Sequence, residues 1–272
     1  MSKFINIGDK KFDLGKKTYI MGILNVTPDS FSDGGRYVNL EKAIVHAKEM
    51  EAQGADIMDI GGESTRPNHT PVGEREELDR VIPVIRALKK EINIPISIDT
   101  YKAKVAEAAL CEGASLVNDV WGFKKEPKIA EVAAKFGAAC CLMHNRERND
   151  YNELMTDLIE DLKESINIAL NAGVREDKII LDPGIGFAKD YEQNLRVMNE
   201  LERIYSLGYP VLLGTSRKSV IGNTLNLPPE ERVEGTVATT VVGIMKKCDF
   251  VRVHDIKENK RAAVMTDAIV RR

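Results

Sequence analysis

The chain predicts a single (β/α)8 TIM barrel of the α/β class. Eight short apolar runs each end in polar, chemically capable residues. Stretches of helical periodicity separate the runs. The length of 272 residues suits one such barrel and leaves little room for a second domain, so residues 1–272 are read as one unit.

In order, residues 4–14 alternate apolar and polar around Gly8-Asp9-Lys10, and a hairpin within 1–15 is expected to plug the barrel floor. The run 19–24 leads into Asn25, and 57–60 into Gly61-Gly62-Glu63-Ser64-Thr65-Arg66. Then 96–98 leads into Asp99, 116–117 into Asn118-Asp119, 139–143 into His144-Asn145, and 179–181 into Asp182. Finally 211–213 leads into Gly214-Thr215-Ser216-Arg217-Lys218-Ser219, and 250–251 into Arg252-Val253-His254. If these runs are parallel strands of one closed sheet, the polar sets converge on the C-terminal mouth, where barrel enzymes keep their active sites. Between them, Ala43, Ala47 and Met50 share a helix face, as do Leu154, Leu158, Leu162 and Ile166. Pro83 should kink the helix in 74–91 or delay its start, while Pro127 and Pro229 suit first turns. Two connections, 25–40 and 61–74, are long for this fold and rich in Gly, Pro, Ser, Thr and Asp, which suggests functional lids.

Composition narrows the class. An apolar fraction of 43% supports a core and excludes disorder, and a net charge of −3 gives no general attraction for nucleic acid. No segment has signal-peptide or membrane-spanning character, so a cytoplasmic location is expected. Cys111, Cys140, Cys141 and Cys248 form no ligand cluster and read as buried thiols, with Cys140 and Cys141 facing opposite sides of one strand.

The chemistry lies at the strand ends. Asp99 is either a helix N-cap or a carboxylate for ligand nitrogens, and Asp182 poses the same choice. Asn118 adds an amide that donates and accepts. Together they suit a flat heterocycle with alternating donors and acceptors. Lys218 could bind an anion, hold a carbonyl, form a Schiff base or simply pair with Asp182 or Asp99. Arg252 and His254, two apart, share one side of the last strand and suit a phosphate or diphosphate. Asn25 could reach a magnesium ion bridging phosphate oxygens. Gly184-x-Gly186 lacks the third glycine of a dinucleotide fingerprint, because Lys189 stands there.

These residues carry a resemblance. Met21-Gly-Ile-Leu-Asn-Val-Thr-Pro-Asp-Ser-Phe-Ser-Asp-Gly-Gly35 and Asp59-Ile-Gly-Gly-Glu-Ser-Thr-Arg-Pro67 closely resemble the two signature loops of the dihydropteroate synthase family. Five later blocks match in order, from Ser97-Ile-Asp-Thr100 to Arg252-Val-His-Asp255. The resemblance implies condensation of 7,8-dihydropterin-6-ylmethyl diphosphate with 4-aminobenzoate, giving 7,8-dihydropteroate and diphosphate, in an enzyme that sulfonamides target. It implies that Asp99, Asn118, Asp182 and Lys218 hold the pterin, with Met143 in the same substrate-binding set. Asn25, Arg252 and His254 would bind the diphosphate with Mg2+, Asn25 being the metal ligand. Thr65, Pro67, Phe187, Lys218 and Ser219 would shape the aminobenzoate slot, and Arg66 and Asp33 would belong to the loops. Asp33 is placed with Asp99, Asp182 and Lys218 among the catalytic residues. The family is typically homodimeric. Asn68, Ala188 and Asn145-Arg146 depart from its usual pattern. The nearest rival is a pterin domain that passes a methyl group to a corrinoid protein, but it has no use for a diphosphate site or an aminobenzoate slot. A Schiff-base aldolase built on Lys218 and a non-catalytic pterin-binding protein are more distant rivals.

Overall fold

The computed structural model describes residues 3–26, 36–63 and 71–271. The N-terminal hairpin pairs β1 (Phe4–Ile7) with β2 (Lys10–Asp13) across Gly8-Asp9, where Gly8 takes φ 59. The barrel strands are β3 (Tyr19–Asn25), β4 (Ile57–Gly61), β5 (Ile96–Asp99), β6 (Leu116–Asp119), β7 (Ala139–Met143), β8 (Ile179–Asp182), β9 (Leu212–Leu213) and β10 (Phe250–Val253). They form one parallel 8-stranded sheet in the order β8-β7-β6-β5-β4-β3-β10-β9, and a parallel bridge between Leu181 and Val211 closes it. All eight predicted runs are therefore strands, most of them extended by the polar residue at their end.

The period-two alternation of a strand sorts side chains between the barrel axis and the helices. In β10, Phe250 faces inward, while Val251 and Val253 join the outer core. Cys140 and Cys141 divide in the same way, as expected. Cys248 is also buried, but Cys111 is exposed, contrary to the sequence reading, because it lies at the C-terminal end of a helix. The barrel floor is sealed by Ile5, Ile7 and Phe12 of the hairpin, packed on Tyr19, Met21, Ile57, Leu116, Ile180 and Phe250. Phe12 meets Tyr19 edge-on at 4.8 Å between centroids, and Tyr19 stacks on Phe250 at 5.5 Å. Each such fully buried side chain contributes up to about 1.5–3 kcal/mol. Above this apolar inner floor stand the inward-facing carboxylates and amides of the strand ends.

The surrounding helices are α1 (Arg36–Ala52), α2 (Glu74–Glu91), α3 (Ala103–Cys111), α4 (Lys128–Phe136), α5 (Leu154–Asn171), α6 (Tyr191–Asn199), α7 (Glu202–Tyr205), α8 (Ser219–Leu225), α9 (Val233–Met245) and α10 (Ile256–Val270). The predicted faces are buried: Ala43, Ala47 and Met50 on α1, and Leu154, Leu158, Leu162 and Ile166 on α5. Pro83 does not delay α2, which begins at Glu74 and runs through it with Val81, Val84, Ile85 and Leu88 buried. Glutamates in its first turn and lysines in its last complement the helix dipole. Among the described residues, no helix is long and apolar enough to cross a membrane.

Candidate active site

Strand register fixes which side chains share a level in the barrel. Gly61 pairs with Asp99, and Asp99 with Asn118, so these three stand together near the mouth. Asp59 pairs with Ser97 one layer deeper on the same inward face. Arg252 reaches both levels. Its Nε donates to Asp59 Oδ2 and its Nη2 to Asp99 Oδ2, each at 2.6 Å, and Asn118 Nδ2 donates to Asp59 Oδ2 at 3.0 Å.

The two carboxylates remain half satisfied. Asp59 Oδ1 and Asp99 Oδ1 are buried without a hydrogen-bond partner. Leaving such an acceptor unpaired costs about 1–3 kcal/mol or more, and because both atoms are closed off from solvent here, a ligand's N–H groups reach them only when the surrounding side chains give way. Burial pushes the Asp99 carboxyl up to about 7, with Arg252 opposing the rise and Asp59 adding to it. Across the mouth, Asp182 accepts from the Gly184 amide at 2.7 Å, and burial raises its pKa against the pull of Lys218. Two glycines border the same carboxylates at ordinary contact distance. A Cβ on Gly214 would stand 3.6 Å from Asp182 Oδ2, and one on Gly61 3.7 Å from both Asn25 Oδ1 and Asp99 Oδ2.

Lys218 is the N-cap of α8, with Ser219 beginning that helix. Its amine donates to the Ile185 carbonyl and lies 4.5 Å from the centre of the Phe187 ring. Burial pushes the amine down to about 8, with Asp182 pulling the other way. Arg232 holds this turn from below, donating to the carbonyls of Arg217 at 2.9 Å and Leu227 at 2.9 Å. His254 meets Ser216 twice: Ser216 Oγ lies 2.9 Å from its Nδ1 and accepts from its backbone N–H at 3.1 Å. The constellation therefore offers a carboxylate-and-amide wall from β4 to β6, an aspartate on β8, and cations from α8 and β10.

A family model described as pterin binding enzyme matches residues 21–254. A dihydropteroate synthase of Clostridium beijerinckii is 65% identical over 98% of this chain and 100% of its own. The chain belongs to the dihydropteroate synthase family. A solved member from Clostridium difficile, obtained in the presence of pteroic acid, is 59% identical with a TM-score of 0.94, covering 96% of this chain and 100% of that one. Another, from Xanthomonas albilineans with 4-aminobenzoic acid, is 37% identical with a TM-score of 0.94, covering 99% and 98%.

For a dihydropteroate synthase, most of the expected constellation is in one place. Asn25, Asp99, Asn118, Met143, Asp182, Phe187, Lys218, Ser219, Arg252 and His254 all lie at or just beyond the C-terminal ends of barrel strands. Asp33, Thr65, Arg66 and Pro67 lie outside the described residues. Arg252 was expected at a phosphate; here it is also the counter-ion of Asp59 and Asp99. Asp59 itself was not singled out, because it lies inside the apolar run Ile-Met-Asp-Ile and not at its end. A second unforeseen group sits at the root of the 61–74 connection. Lys102 bonds to both Glu63 and Glu77, and Arg80 donates to the Gly62 carbonyl at 2.7 Å.

Proposed function

We propose that this mouth condenses 7,8-dihydropterin-6-ylmethyl diphosphate with 4-aminobenzoate, releasing 7,8-dihydropteroate and diphosphate. The observation that carries the reading is the pair of buried, unpartnered carboxylate oxygens on Asp59 and Asp99. A pterin's amino and ring N–H groups would satisfy them, while Asn118 and Asp182 complete the edge and Lys218 faces the ring's carbonyl side. Met143 would line the same pocket.

The chemistry follows from charge. As the methylene–oxygen bond breaks, positive charge spreads into the pterin and negative charge onto the diphosphate. Asp99 and Asp182 stabilise the first, and Arg252 and His254 the second, in a site with little water to screen them. The aniline nitrogen forms the new bond and gives up its proton to the departing diphosphate or to water. Because the anilinium formed on that nitrogen is strongly acidic, this step needs no strong general base. Arg252 Nε and Nη2 are engaged with carboxylates, which leaves the Nη1 donors for the diphosphate. Magnesium fits as a substrate-carried ion. Asn25 is one oxygen donor beside the mouth, and Mg2+ commonly takes its other ligands from phosphate and water. When bound, the ion would neutralise the leaving diphosphate.

Phe187, Lys218 and Ser219, with Thr65 and Pro67 of the second loop, would form the aminobenzoate slot that sulfonamides occupy, with Asp33 and Arg66 closing over it. The protein would act as one domain in the cytoplasm and as a homodimer. Val242 and Met245 of α9 and Val264, Met265 and Ile269 of α10 form an exposed apolar face suited to a second copy.

Diphosphate release should require both substrates. Release with the pterin diphosphate alone, or no release with both substrates present, would overturn the reading. Lys218→Ala should weaken both substrates by roughly tenfold, since one amine serves both, and Lys218→Arg should not restore them because a planar fork cannot replace a point charge. Calorimetric titrations giving wild-type affinities for either variant would remove Lys218 from the site.

A further inference from the structure

Beneath the Lys218 side of the mouth lies a polar chain to which the reaction gives no part. Lys189 Nζ is surrounded by three acceptors: His144 Nδ1 at 2.9 Å and the carbonyls of Gly184 and Phe187, each at 3.0 Å. These match the three N–H bonds of an ammonium. His144 is fully buried, and burial pushes its imidazole down to about 3, so the ring is neutral. With Nδ1 accepting from Lys189, Nε2 carries the proton and donates to Asp161 Oδ2 at 2.9 Å. Asp161 also accepts from Arg146 Nε at 2.5 Å, which anchors the chain to α5 and the loop after β7.

The far end of the chain is the loop after β8. Gly184 lies so close to β7 that a Cβ would come within 1.9 Å of the His144 carbonyl, at φ 66. Gly186 donates to Asn194 Oδ1 at 2.6 Å, and Ala188, at φ 45, has its carbonyl held by Tyr151 Oη at 2.8 Å. This same loop provides the Ile185 carbonyl that receives the Lys218 amine and the Phe187 ring beneath it. Lys189 and Lys218 thus grip the loop at different points, Lys189 from the His144 side and Lys218 from the mouth.

We infer that Lys189, footed on His144, is a positioning residue that sets the Phe187 wall of the aminobenzoate slot. It touches neither reactant and acts through the loop it holds. Neither the carboxylate wall on β4, β5 and β6 nor the Ile185 carbonyl that receives the Lys218 amine is among its contacts, so loss of Lys189 separates the two substrates. The inference rests on the slot assignment above, and wild-type diphosphate release tests that assignment by itself. Only the ratio of variant to wild type reports on Lys189.

The experiment measures the KM for each substrate on the full-length chain, wild type and Lys189→Met, with the fold checked by circular dichroism. The expected result is a rise of tenfold or more in the KM for 4-aminobenzoate, with the KM for pterin diphosphate changed less than threefold. If both KM values stay at wild type while the Tm falls, the lysine is only structural and the inference is overturned; equal rises in both overturn it as well. Should Lys189→Met not yield folded protein, His144→Leu removes the imidazole foot but leaves both loop carbonyls. The same selective rise, of at least threefold, is expected, and its absence overturns the inference.

Discussion

Asp99→Asn is expected to keep the fold and to lower turnover by on the order of 10²–10³, the usual loss when one preorganised stabiliser of developing charge is removed. The amide matches the carboxylate in shape and can still accept from Arg252 Nη2. What it loses is the charge, and in place of the unpartnered Oδ1 it presents either a neutral oxygen or an N–H2 group. Neither stabilises a delocalised pterin cation, and the N–H2 would oppose ligand donors directly. Turnover under substrate saturation, measured beside an unchanged circular dichroism spectrum, checks this. Wild-type turnover would reduce Asp99 to a counter-ion for Arg252.

Arg252→Met is expected to be the most destabilising of these changes, by about 3–5 kcal/mol at pH 8, because it strands two buried carboxylates without their cation. The sign of the pH dependence follows from Asp99. Its carboxyl is pushed up from 3.8 to about 7, so between those values the folded state holds more protons than the unfolded one. Its contribution to stability therefore falls as pH rises through that window. Arg252 opposes the shift, and removing it moves the folded pKa higher still. The variant's deficit relative to wild type should grow from pH 5 to pH 8 in urea unfolding curves. A deficit independent of pH would mean that the loss is one of packing.

How far the sequence reached depends on what each residue needed. Asp99, Asn118 and Asp182 were legible because each ends an apolar run, and parallel strands of one barrel must deliver their ends to one rim. Asp59 was passed over because it lies inside its run, with Ile60 and Gly61 still to come. Its depth, opposite Ser97, depends on strand register, and period-two alternation gives the side of a strand but not its level. Lys189 read as a mere interruption of a glycine pattern. Its burial depends on His144, 45 positions earlier, and on a backbone approach at Gly184 that only folding creates. Pro83 was expected to kink α2 or delay its start, yet the helix begins at Glu74 and runs on through it, its apolar face covered by the core. Local propensity lost to tertiary packing there.

The hoop of strands has one weak fastening. Every other junction is a ladder, but β8 meets β9 through the lone bridge between Leu181 and Val211. The residue after Leu181 is Asp182, and beyond β9 the chain leads to Lys218. A ligand held by both, as proposed above, would span this junction and act as its clasp. Part of what the site spends in gripping substrate would then return as cohesion of the barrel at this junction. At a concentration of 100 times Kd, occupancy adds about 2.7 kcal/mol to the folded state. Substrate is, in that sense, a missing piece of the sheet's own stitching.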